Sequence, residues 1–188
     1  ALCHADRGET DEAIALLESA LTPASDDAVA LLELGQLYRQ GDRDEEAIAL
    51  FARAAEAEPW NERAWLALGE SRRDVGDLAG AEEALGRALE LDPEHEWALF
   101  ELGKVHVLQG RDTEAEAALR RAARNNPDGD IAEVALAWWY RDRGRLVDAE
   151  EVLQAALQAT PRDDRLLSVL SFVRGDQGRE EDARELRE

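Results

Sequence analysis

Apolar and polar positions recur along this chain at helical spacing. Leu31, Leu34, Gly35 and Tyr38 share one face of a helix, and Ala47, Phe51 and Ala54 share one face of the next. The same arrangement returns every 34 residues. Stepping by 34 from Ala13 meets Ala47, Ala81, Ala115, Ala149 and Ala183; chance would give such a run roughly 3 times in 10⁵ at this alanine content. Leu34, Leu68, Leu102, Leu136 and Leu170 form a second series, Ala20, Ala54, Ala88, Ala122 and Ala156 a third, and Pro59, Pro93, Pro127 and Pro161 a fourth. Gly35, Gly69 and Gly103 follow the leucines, and Ala137 and Ser171 continue their series.

Two antiparallel helices per period explain the pattern. Small residues such as Gly35, Ala47 and Ala54 let two backbones approach, while Leu31, Leu34, Tyr38 and Phe51 fill the space beside them. Gly41, Gly76, Gly110, Gly144 and Gly178 are expected to end the first helix of each pair, and each proline to stop the second. The reading is all-α: one array over residues 1–188, with a partial repeat at 1–27, full repeats at 28–61, 62–95, 96–129 and 130–163, and a partial repeat at 164–188, about twelve helices in total.

The residues Trp65, Leu68, Gly69, Gly76, Ala81, Leu85, Ala88 and Pro93 make the clearest copy of a motif that resembles the tetratricopeptide repeat. Departures occur at single positions: the usual Tyr is Arg72, His106 or Arg174 in three copies, and the usual Trp is Glu133 in one. The resemblance implies a right-handed α-solenoid whose first helices line a concave groove for a protein or peptide. It places the ligand-facing positions at Val29, Leu32, Gln36, Arg39 and Gln40; at Arg63, Leu66, Glu70, Arg73 and Asp74; at Trp97, Phe100, Lys104, Val107 and Leu108; and at Ile131, Val134, Trp138, Arg141 and Asp142.

Helix 96–109 is apolar almost all round. Leu99, Leu102, Gly103 and His106 make its core stripe, and Trp97, Phe100, Val107 and Leu108 make a second one that adjacent helices, another chain or a ligand must cover. With Ile131, Val134 and Trp138 this becomes a patch of the composition found in binding hot spots. Trp97, Phe100, Val134 and Trp138 are the expected apolar anchors for a peptide. Two specialised relatives are excluded. The lysine and asparagine clamp of chaperone-tail binders would fall on Leu32, Gln36, Ala67, Trp97 and Glu101, and the asparagine ladder of sugar-transferring relatives on Glu33, Ala67, Glu101, Ala135 and Val169.

Charge narrows the field. The chain of 188 residues carries 22 Lys plus Arg against 43 Asp plus Glu, a formal net charge of −21, and Lys104 is its one lysine. Nucleic acid is a poor partner for such a surface, because phosphate binding draws on released counterions and a basic footprint. Acidic residues also crowd the first twenty positions, and no run of about 18 apolar residues occurs, so neither a signal peptide nor membrane insertion is expected. With Cys3 as the one cysteine, an internal disulfide and a four-thiolate zinc site are excluded.

No constellation for catalysis, cofactor or metal emerges. His4 and His106 stand where Tyr38 and Tyr140 stand in other copies, and read as aromatic substitutes, while His95 follows a proline turn. The stretch from Asn125 to Asp130 matches a calcium loop poorly, and helix capping by Asp128 or Asp130 explains it better. The expected function is a non-catalytic interaction scaffold. A structural spacer within a larger protein is the alternative, since both end copies are incomplete, and self-assembly through the end repeats is a third class.

Overall fold

The computed structural model describes residues 12–21, 26–125 and 130–186. Among these, all regular structure is helical. Residues 12–20 form α1, followed by α2 (Ala28–Gln40), α3 (Asp44–Ala57), α4 (Glu62–Asp74), α5 (Leu78–Leu91), α6 (Glu96–Leu108), α7 (Asp112–Asn125), α8 (Ile131–Asp142), α9 (Leu146–Ala159), α10 (Asp164–Asp176) and α11 (Glu180–Glu185). The twelfth expected helix, with His4 and Cys3, falls outside the described residues, as do Pro127 and Asp128.

The chain divides into two compact units, Ala1–Pro93 and Glu94–Glu188. In the first, α2 packs on α3, α3 on α4 and α4 on α5, with α2 also touching α4. Its core is built on Leu31, Leu34, Tyr38, Phe51 and Leu68, with Ile14, Leu17 and Leu21 packed against it. The second unit repeats the scheme from α6 to α11, and its first helices α8 and α10 touch as well. Leu99, Leu119, Leu136, Leu153, Leu166 and Leu170 are its buried leucines.

Backbone proximity decides where glycine is needed. A Cβ on Gly69 would lie 2.6 Å from Leu85 Cγ and 3.3 Å from the Leu85 backbone nitrogen, so the α4–α5 crossing closes only over a bare backbone. The same residue sixteen positions ahead meets the glycine in the flanking pairs, Phe51 for Gly35 and Leu119 for Gly103.

The turns agree with the sequence in four places and depart in one. Gly76, Gly110, Gly144 and Gly178 all have positive φ, from 71° to 84°. Gly41 does not: its φ is −97°, and the left-handed residue is Asp42, at 57°. The period explains this, because 34 residues before Gly76 lies position 42. Pro59, Pro93 and Pro161 each stand two residues past the end of a second helix. Helix starts are capped by Asp27, Asp77, His95 and Asp163, whose side chains accept backbone N–H bonds. Asp130 occupies the N-cap position of α8 without making that bond; its carboxylate accepts from Arg165 Nη1 at 3.0 Å instead. The capping role expected of Asp130 is therefore corrected to an ion pair with α10.

Second helices carry bonds forward to the next pair. Glu116 on α7 accepts from Tyr140 Oη at 2.7 Å and from Arg145 Nη1 at 2.7 Å. One period later Glu150 on α9 accepts from Arg174 Nε at 3.0 Å and from Arg179 Nη1 at 2.8 Å. Arg174 thus replaces the usual tyrosine by an ion pair to the same acceptor position. At Arg72 the replacement works differently, its Nη1 donating to the Gly80 carbonyl at 3.1 Å.

Candidate functional site

In the first unit the expected groove positions converge. Leu32, Gln36, Arg39, Arg63, Leu66 and Glu70 line one concavity of about 240 Å³ between α2 and α4. Arg39 crosses it, donating to Glu70 Oε2 at 2.6 Å and to Gln36 Oε1 at 3.0 Å, so its charge is already answered inside the chain. Arg73 pairs with Asp74 at 3.0 Å. Val29 stands 65% exposed at the start of α2, while Leu32 is buried. Polar and apolar side chains share this surface, with Leu66 half-buried in it.

In the second unit the aromatics gather in two places. On α6 the Trp97 and Phe100 rings lie 5.1 Å apart between centroids, and the Lys104 ammonium stands 5.1 Å from the Phe100 ring. Lys104 also donates to Glu101 Oε1 at 3.0 Å. Between α8 and α10, Trp138 lies 6.0 Å from Phe172, with the Arg141 guanidinium 5.0 Å from the Trp138 ring and hydrogen-bonded to Asp176. Phe172 is 49% exposed, Leu108 61% and Ile131 36%, while Trp97, Val107 and Trp138 are half-buried.

Two expected anchors sit deeper than the sequence implies. Phe100 and Val134 are each only 8% exposed, because their helix face is covered from within the chain, Phe100 by Trp97 and Lys104 of its own helix. They form floor rather than protruding contacts. Phe172 was missed altogether, although a step of 34 from Trp138 lands on it.

Glu133 departs most from its counterparts. The equivalent residues Leu31 and Leu99 are buried hydrophobes and Trp65 is a half-buried indole, yet Glu133 is a carboxyl only 5% exposed. Its Oε2 has no hydrogen-bond partner. Burial pushes its pKa up to about 7, with the nearby carboxylates Glu96 and Asp130 adding to the rise. It borders a cavity of about 390 Å³ between α7, α8 and α9, whose apolar wall includes Ala123, Leu136, Val152 and Ala155. Glu116 and Tyr140, by contrast, are paired. Arg145 holds Glu116 below the usual carboxylate range, and burial with the Glu116 hydrogen bond pushes Tyr140 up to about 12.

Among the described residues no group of three or more His, Cys, Asp or Glu is placed to hold a metal ion. No helix of the described residues is long and apolar enough to cross a membrane. His95 is engaged as a helix cap, its Nδ1 accepting from the Ala98 N–H at 3.2 Å, and His106 is buried on α6.

Stacked helix pairs with bare-backbone crossings, a 34-residue period and an exposed face of first helices define a helical-repeat scaffold of the tetratricopeptide class. The profile of a family described as the cilia and flagella-associated protein 70 C-terminal domain matches residues 1–187, and the chain belongs to this tetratricopeptide-repeat family. A search of curated proteins found no match. Solved structures with the same fold include a protein from Pseudomonas aeruginosa, pilF, at 19% identity and a TM-score of 0.76, covering 98% of this chain and 84% of that one. MamA 41-end from Desulfovibrio magneticus RS-1 is 21% identical with a TM-score of 0.68, over 86% and 92% of the two chains. YrrB, described as a TPR protein with an unusual peptide-binding site, is 19% identical with a TM-score of 0.65, over 90% and 88%. The class is an interaction-scaffold fold, and these likenesses extend to the fold alone.

Proposed function

We propose that this chain is a non-catalytic scaffold that binds a peptide segment along the first-helix face of its second unit, through apolar contacts. The observation that carries the reading is the Trp138–Phe172 pair, which spans neighbouring first helices with Phe172 49% exposed. Aromatic rings held by neighbouring elements supply large contact area at little entropic cost, which is why such residues dominate binding hot spots. Leu108, Ile131 and Trp97 extend the apolar surface, with Phe100 and Val134 as its floor. Arg141 and Lys104 are engaged by Asp176 and Glu101, so they orient the aromatics and flank the peptide rather than capture a carboxylate. That the fold admits such use is supported by YrrB, whose description names a peptide-binding site.

The test is selection of a displayed random-peptide library on the wild-type chain and on the Trp138→Ala, Phe172→Ala double variant. The reading expects peptides with two apolar anchors to be enriched on the wild type and not on the variant. Enrichment of the same peptides on both would remove it.

A further inference from the structure

The cavity beside Glu133 corresponds to a place that is filled in another repeat. Trp65, two periods earlier, packs against a cluster containing Ala55, Leu68 and Ala84, and the Arg87 guanidinium stands 5.6 Å from its ring. Moving each of these forward by 68 residues gives Ala123, Leu136, Val152 and Ala155, and all four line the Glu133 cavity. The hollow therefore shares part of its lining with the surroundings of the Trp65 indole, whose Nε1 donates to the Pro59 carbonyl at 3.0 Å, and at Glu133 the chain supplies a carboxyl where that indole stands. Its volume of about 390 Å³ falls in the range of small-molecule sites. A buried carboxyl oxygen without a partner gains from any donor that reaches it, because an unsatisfied buried acceptor carries its full desolvation cost.

We infer that this cavity binds a small aromatic heterocycle bearing a ring N–H, the ring replacing the absent indole and the N–H donating to Glu133. The apolar wall recognises the flat ring, and the Glu133 carboxyl oxygen recognises the donor. Arg120 and Arg124 stand at the rim, Arg120 donating to Glu116 and Tyr140, and Arg124 to the Arg120 carbonyl. They leave Glu133 as the acceptor for the ligand. The site shares no residue with the first-helix groove, and it stands or falls separately from the peptide-binding reading.

The experiment titrates the full chain with indole and with indene, its analogue lacking the N–H, while following methyl resonances of Leu136 and Val152. Saturable shifts with indole, and binding about tenfold weaker for indene, are expected from one hydrogen bond to a buried carboxyl oxygen. Glu133→Leu should bring the two ligands to equal affinity. Ala155→Phe, at an exposed wall position that leaves the fold intact, should abolish binding by occupying the seat. The inference is overturned if indole gives no saturable shift, if indene binds as well as indole to the wild type, or if indole shifts persist unchanged in Ala155→Phe.

Discussion

Asp42 and Glu133 are two of the residues at which this chain breaks its own period, and each of these breaks has an energetic consequence. Asp42 takes a left-handed conformation that its counterparts Gly76, Gly110, Gly144 and Gly178 adopt without a Cβ. Asp42→Gly should raise stability by about 0.5–1 kcal/mol in urea melts, the relief of strain exceeding the added freedom of the unfolded chain. Glu133 acts through protons. With its pKa at about 7 when folded, above the usual carboxylate value near 4.5, the folded chain keeps a proton that the unfolded chain has released. The Glu133 contribution to stability is therefore fully present below about pH 4.5 and is lost as pH rises through about 7, a loss on the order of 3 kcal/mol. Glu133→Gln should flatten that part of the stability profile relative to wild type. A variant profile parallel to the wild type across this window would show that Glu133 titrates normally.

The helices hold together by repeated contacts, and these were the most legible part of the sequence. The small residue of each first helix and the large residue sixteen positions ahead follow directly from the period, as Gly69 and Leu85 show. The Glu150 contact is a forward one of another kind: a carboxylate only 13% exposed joins α9 to Arg174 of α10 and to Arg179 before α11. Removing it takes the ion-pair partner from the largely buried Arg174, while Arg179 keeps Asp182, so Glu150→Ala should cost about 1–3 kcal/mol and loosen α10 and α11 first, as hydrogen exchange by residue would register. Equal loss of protection across the second unit would contradict this local role. What the sequence hid were features that depend on neighbours. A period shows that position 100 is apolar, whereas the burial of Phe100 depends on the placement of Trp97 and Lys104. The Glu133 cavity was hidden likewise, since a carboxyl in a tryptophan position reads as a weak repeat until its surroundings are known. Gly41 misled by adjacency, one residue short of the turn position.

Across the whole molecule the charge is unevenly distributed between the two kinds of helix. The first helices α2, α4, α6, α8 and α10 carry ten carboxylates against eight cations, and the second helices α3, α5, α7, α9 and α11 carry seventeen against six. The first helices are nearly neutral, and the excess acid lies on the second helices. Self-repulsion of a net charge of −21 opposes folding at low ionic strength. Raising salt from about 10 to about 150 mM shortens the screening length from about 30 to about 8 Å, and the melting temperature should rise. A fall would mean that screened ion pairs outweigh the repulsion. Phe172, 49% exposed, and the half-buried Trp97 and Trp138 stand on these near-neutral first helices, which fits a surface that accepts a partner of either charge.

The most direct measurement is the affinity of a peptide selected on this chain, taken by calorimetry for three proteins: the wild type, the Trp138→Ala, Phe172→Ala double variant, and Val147→Ala on the exposed face of α9. A pair acting as a hot spot costs about 2 kcal/mol or more when truncated, or about thirtyfold in affinity. The account predicts that loss in the double variant and an unchanged affinity in Val147→Ala. Equal affinity of the wild type and the double variant, with both folded, would contradict it.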